Sequence, residues 1–214
     1  VFNGSQPTFP QLLRASGYQT AVIGKWHLHS MPTDFDHYSV MWNQGSYFDP
    51  DFIEESECGP VWKKTKGYST DIVVDKCLDW LAGREAGKPF MLLCHFKSPH
   101  YNWEPDNKHK DMYRDEVIPE PETFNHEYDE NGPTEQLQVK LETVHEQWKV
   151  THWNPMPQGL CMQEQKERNY QLFIKDYLRC VASVDDNVGR LLDYLDREGL
   201  TDDTVVMYTS DNGM

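Results

Sequence analysis

Two side chains that could handle an anion, Lys25 and His27, close an apolar segment running from Gly17 to Trp26. In extended backbone alternate residues share a face, so an ammonium and an imidazole would be delivered to one place. The lysine stays charged at neutral pH, whereas the imidazole can give or take a proton there. The pattern recurs twice: Phe96-Lys97-Ser98-Pro99-His100 follows a second apolar run, and Thr209-Ser210-Asp211-Asn212-Gly213 follows a third. Asp211 and Asn212 supply two side-chain oxygens of the kind that hard divalent cations prefer. Taken singly, each has a plainer reading: a solvated strand end, a loop histidine beside Pro99, and a turn built from Asp, Asn and Gly.

The elements that must position these residues alternate between helix and strand. Thr8 is placed to cap a short helix with Pro10 in its first turn, Leu12 and Leu13 as apolar contacts and Gly17 at its end. Thr20 to Trp26 reads as a strand. Residues 28 to 67 carry turn signals at Met31-Pro32, Asp49-Pro50 and Gly59-Pro60 and read as loop with short strands. Tyr68 to Arg84 has a helical stripe of Ile72, Val73, Cys77, Trp80 and Leu81, and Pro89 to Phe96 follows as a buried strand. Residues 97 to 133 are irregular; Leu137, Leu141, Val144 and Trp148 then predict a helix over Thr134 to Lys149. A long helix is expected from about Gln165 to Glu198, and a last strand from Thr204 to Thr209. This alternation predicts an α/β fold with a largely parallel or mixed central sheet covered by helices on both faces. In such sheets ligands bind at the carboxyl ends of strands, which is where all three motifs fall.

Composition excludes several classes. The chain has 214 residues and a formal charge of −15, and the stretch Glu104 to Glu146 holds 13 acidic against 4 basic residues. A nucleic-acid surface needs the opposite sign. An anionic substrate stays compatible if recognition is local, because carboxylates beyond about 8 Å are screened at physiological salt. No apolar run approaches the roughly 20 residues of a membrane span. Five scattered cysteines form neither a disulfide framework nor a Cys-x-x-Cys zinc pair. Cys77, Cys94 and Cys180 read as small core residues, whereas Cys58 and Cys161 lie in loops and could pair.

Gly24-Lys25-Trp26-His27, Phe96-Lys97-Ser98-Pro99-His100 and Thr209-Ser210-Asp211-Asn212-Gly213 together resemble the formylglycine-dependent sulfatases of the alkaline phosphatase superfamily. Thr8 to Leu13 before Gly17-Tyr18, and Ser183 to Gly189 before the last strand, resemble the same family. The resemblance covers most of the chain and implies an α/β catalytic domain of which residues 1–214 form part. It implies a sulfated small molecule or glycan as substrate and a divalent cation, Ca2+ rather than Mg2+, held by Asp211 and Asn212. Lys25 would bind the sulfate and stabilise the leaving oxygen. His27 would orient the formylglycine and accept a proton, His100 would serve as general acid or sulfate donor, and Lys97 would add charge. A periplasmic, secreted or lysosomal location also follows from the resemblance.

The family's nucleophile motif, Cys or Ser followed by x-Pro-Ser-Arg, is missing; Cys58-Gly59-Pro60 begins like it but continues Val61-Trp62. The expectation is therefore an internal piece of a longer enzyme, with the formylglycine outside it. A phosphonate or phosphate ester hydrolase of the same fold, or a silent homologue that binds sulfated glycans, stays open. His29 stands where many relatives have Gly. His95 alternates with Phe96 and is assigned to the opposite side. Asn102 and Trp103 are candidates to bond and stack on a sugar, or else to pack the loop.

Overall fold

The computed structural model describes residues 3–126, 140–147, 150–155 and 157–211. They divide into two compact units, residues 1–97 with 184–214, and residues 98–183. The first unit is built on a mixed sheet of five strands: β1 (Gln19–Trp26), β2 (His37–Trp42), β3 (Asp51–Glu54), β4 (Val61–Lys64) and β5 (Phe90–His95). Their order is β4-β3-β2-β1-β5, with β1 parallel to both β2 and β5, while β2, β3 and β4 run antiparallel in turn.

β1 lies centrally and is buried on both faces, which is why its sequence is a nearly continuous apolar run. Alternation sends Val22 to one face with Tyr38, Val40 and Ile53, where Met31 and Phe35 pack over them. Ile23 faces the other way with Met41 and Phe52 against Ile72, Val73 and Cys77 of α2 (Ser69–Gly83). Leu81 of α2 continues that layer with Tyr194 and Leu195. Those last two belong to α4 (Met162–Arg197), which gives the first unit its residues from Val184 onward. There Asn187 donates to Asp71 at 2.7 Å.

α1 (Phe9–Ala15) begins as its sequence requires. Thr8 Oγ1 accepts from the Gln11 amide at 3.3 Å, and Pro10 occupies the first turn, where its missing N–H costs nothing. Leu12, expected to make apolar contacts, is exposed instead. β1 is pinned at its start by Asp36. Its carboxylate accepts from the Thr20 amide at 2.9 Å, from the Thr20 hydroxyl at 3.1 Å, and from Arg14 Nε at 2.7 Å.

One expected strand is absent. Thr204 to Thr209 has no regular structure and is no member of the five-stranded sheet. Val205, Val206, Met207 and Tyr208 are all exposed. β-branched and aromatic residues favour a strand only through cross-strand partners, and among the described residues this segment meets none. Within the expected helix over Thr134 to Lys149, residues 140–143 form a turn and α3 (Val144–Gln147) a single helical turn; residues 134–139 and 148–149 lie outside the described residues.

The second unit packs around aromatic rings. Trp103 is fully buried and stacked on Trp153 at 5.9 Å, with Phe173 edge-on at 4.7 Å. Asp176 on α4 collects His152 Nε2 at 2.8 Å, Trp153 Nε1 at 2.7 Å and Arg179 at 2.7 Å. Trp103 therefore packs the loop and cannot stack on a sugar. Cys58 and Cys161 are exposed free thiols, so the pairing open to them is not made. Among the described residues no helix is long and apolar enough to cross a membrane.

Candidate active site

β1 and β5 are held together tightly at their carboxyl ends, and a glycine makes this possible. Gly24 lies inside β1 at φ +112°, and a Cβ there would sit 1.9 Å from the carbonyl oxygen of His95. Only glycine combines that backbone angle with that approach. His95 completes the junction from the other side, its Nδ1 lying 3.3 Å from the Lys25 carbonyl. Because a carbonyl only accepts, this contact puts the ring proton on Nδ1.

Lys25 is thus delivered at the end of β1 on fixed backbone. Burial pushes its ammonium below the ordinary lysine value, and the carboxylate of Asp211 pulls it back up in part. Burial likewise lowers the His95 imidazole, against the opposing pull of the Lys25 carbonyl and of Asp211. Lys25, His95 and Asp211 therefore share one electrostatic neighbourhood. His95 pairs with Gly24 and so lies on the face opposite to the Lys25 side chain, as expected, yet its ring reaches the Lys25 backbone carbonyl. The signal that could have found this contact was the pairing of β1 with β5, which sets Gly24 beside His95 once the two strands are parallel.

His27 follows β1 directly and is exposed. Its ring lies 5.0 Å from that of His29 in an edge-on contact. His29 takes φ +55°, the left-handed conformation that glycine adopts most easily. The turn is thus compatible with the relatives' glycine and places a second imidazole beside the first. Lys97 is buried at the end of the β5 segment with Nζ 5.0 Å above the Tyr47 ring, a cation–π contact. His100 belongs to the second unit, where its Nδ1 lies 2.7 Å from the Tyr101 carbonyl and its ring rests on Tyr101.

The first unit therefore carries Lys25, His27, Lys97 and Asp211 of the expected set, and the second carries His100. Asn212 lies outside the described residues. For a divalent cation the fit is incomplete: among the described residues no three His, Cys, Asp or Glu side chains are placed to hold a metal. Asp211 is one oxygen donor, where Ca2+ takes six to eight. What the arrangement does supply is a partly desolvated lysine at the end of β1 and, in the turn that follows, two imidazoles in edge-on contact, residue types suited to gripping an oxyanion.

A mixed α/β sheet thus gathers cationic and titratable groups at the carboxyl ends of its parallel strands, where ligands of such sheets bind. The Sulfatase family model matches residues 2–214, and the chain belongs to that family. It is similar to the N-acetylglucosamine-6-O-sulfatase of Bacteroides thetaiotaomicron, 36% identical over 255 residues covering 100% of this chain and 45% of that protein. The choline-sulfatase of Rhizobium meliloti is 26% identical, covering 99% of this chain and 43% of its own length. The chain thus spans about half the length of these relatives. One solved structure, a protein in complex with its substrate D-glucosamine-2-N,6-O-disulfate, superposes with TM-score 0.76 at 34% identity over 93% of this chain and 48% of that one. Another, from Bacteroides fragilis, shares the fold at TM-score 0.59 and 17% identity, covering 89% of this chain and 40% of its own.

Proposed function

We propose that the enzyme to which this chain belongs hydrolyses sulfate esters of a carbohydrate, with a 6-O-sulfated glucosamine unit as the favoured substrate. The observation that carries the reading is the half-buried Lys25 beside Asp211 and His95 in a chain 36% identical to an N-acetylglucosamine-6-O-sulfatase. Charge develops on the bridging oxygen and over the sulfuryl oxygens as the ester breaks. A fixed ammonium in a partly desolvated setting stabilises that charge more than in water.

In this reading Lys25 binds the sulfate and the departing oxygen, and Lys97 adds positive potential from above Tyr47. His27 accepts a proton, with His29 against its ring, and His100 supplies one to the leaving group. The nucleophile is a formylglycine outside the 214 residues, since the required motif is absent from them. A divalent cation, Ca2+ before Mg2+, is proposed with Asp211 and Asn212 among its ligands, the rest coming from elsewhere in the enzyme. A compartment outside the cytosol, periplasmic, secreted or lysosomal, belongs to the same proposal.

The test is to measure product release by the whole enzyme from N-acetylglucosamine 6-sulfate and from the matching 6-phosphate. Sulfate release faster by a hundredfold or more supports the reading. Preference for the phosphate would move the assignment to a phosphate ester hydrolase, and turnover of neither with retained binding to a glycan 6-sulfate would make the protein a sulfated-glycan binder.

A further inference from the structure

Two thiols of the first unit meet where α2 packs on the sheet. Cys77 is fully buried on α2, among Ile23, Met41, Phe52 and Val73, and Cys94 of β5 packs against the same cluster. Register explains the meeting. Cys94 pairs with Ile23 across β1 and β5, so its side chain leaves the sheet on the face that α2 covers. There the Cys77 thiol is in hydrogen-bond contact with that of Cys94, and both are free. Neither the anion grip nor the proposed metal site uses this pair.

Small apolar side chains would fill this space as well, so the packing alone does not ask for sulfur. What two thiols in contact add is the capacity to bond to each other. The benefit falls on β5. Among the described residues β1 is its one neighbour in the sheet, so its remaining hold is the layer beneath it, α2 included. All six of its residues are only half-buried, whereas most of β1 is fully buried. The bond to Cys94 and burial push the Cys77 thiol up, which keeps it protonated and slow to react unless a donor is supplied. Cys94 is the less buried of the two, and so the sulfur that an external donor meets first.

We propose that Cys77 and Cys94 form a modification site, at which a disulfide donor closes a covalent bond between α2 and β5. The Cys94 thiolate displaces one half of the donor, which leaves as a thiol, and Cys94 carries the other half as a mixed disulfide. The Cys77 thiolate then attacks the Cys94 sulfur and releases that second half. One sulfur–sulfur bond forms and one breaks; the pair gives up two electrons and two protons, and the donor takes both. The new bond constrains residues 78–93 in the unfolded chain and so stabilises the fold. It also ties the strand that leads into Lys97 to the helix beneath it. Disulfides persist outside the cytosol, the setting proposed above for the enzyme. The site does not depend on which ester the enzyme hydrolyses.

The test treats the whole enzyme with oxidised glutathione at mildly alkaline pH, unfolds it in iodoacetamide to cap the remaining thiols, and maps tryptic peptides by mass without reduction. Cleavage after Lys76, Arg84 and Lys97 puts Cys77 in residues 77–84 and Cys94 in residues 85–97, since the bond after Lys88 precedes Pro89 and resists trypsin. The expected result is these two peptides joined, lighter by two hydrogens than their sum, with the unfolding temperature raised by about 5 °C. Dithiothreitol returns that temperature to its starting value, and Cys94→Ala shows no rise with glutathione. A map in which the exposed Cys58 and Cys161 carry glutathione while Cys77 and Cys94 stay unlinked overturns the proposal. A joined pair with no rise in unfolding temperature overturns it too, since the bond would then not hold β5. If Cys94→Ala fails to fold, the wild-type map and its reversal by reductant decide alone.

Discussion

β1 and the segment Thr204 to Thr209 start from similar sequence and end in opposite environments. Both are short runs rich in β-branched and apolar residues, and both lead into residues with chemical potential, Lys25 in one case and Asp211 in the other. Ala21, Val22 and Ile23 are completely buried between two parallel neighbours, whereas Val205 and Met207 are more than four-fifths exposed. Intrinsic preference is common to the two. What separates them is a partner on each side, and a strand owes its stability to those partners. The consequence reaches the site, because β1 holds Lys25 on backbone locked to β5 while Asp211 closes a segment that, among the described residues, pairs with no strand.

Substitutions can sharpen this contrast. The largest effect is expected for Gly24→Ala, where the new methyl would collide with the His95 carbonyl at a backbone angle alanine tolerates poorly. A loss of about 3 kcal/mol or more is predicted by denaturant unfolding, and a loss below about 1 kcal/mol would show that the two strand ends can part. Val22→Ala and Val206→Ala then remove the same atoms from the two regions. The first should cost roughly 2 kcal/mol, and the second should stay within about 0.5 kcal/mol, as for an ordinary surface change. Equal costs would mean that residues 204 to 209 are packed in solution.

A smaller, pH-dependent effect tests the antiparallel half of the sheet. Burial alone would raise the Glu54 carboxyl, but the bonds from Lys76 and Ser39 and the charge of Lys63 carry it below its ordinary value. A depressed carboxyl stabilises the fold above its unfolded value near 4.5, and that contribution disappears as pH falls through the folded value. Lys76→Met should therefore cost about 1 kcal/mol at pH 7 and nothing near pH 2, measured by thermal unfolding across that range. A cost independent of pH would assign the effect to lost packing of Lys76 on Phe52 instead.

How much was legible in the sequence follows from the same contrast. The cap at Thr8, the strands β1 and β5, the stripe of α2 and the long α4 announce themselves through periodicity or a local hydrogen bond. β2, β3 and β4 were read only as loop with short strands, because β3 and β4 have four residues each and β4 is exposed throughout, leaving no alternation to detect. Lys25 and Asp211 stood out through the Gly-Lys-Trp-His and Asp-Asn-Gly motifs, although only Lys25 belongs to a strand. The contact of His95 with the Lys25 carbonyl was not legible, because it depends on pairing between strands 70 residues apart. The left-handed Gly24 is a property of pairing, which no single segment encodes.

The central claim is that Lys25, fixed at the end of β1 and partly desolvated, grips the sulfate in the transition state. Its direct measurement is kcat/KM of the whole enzyme on N-acetylglucosamine 6-sulfate for the wild type and for Lys25→Ala, with unfolding temperatures taken alongside. The account predicts a fall of about 100- to 1,000-fold at unchanged stability, comparable to removing one positioned donor from an oxyanion site. A fall of less than about threefold in a folded variant would contradict it and shift the anion grip to Lys97.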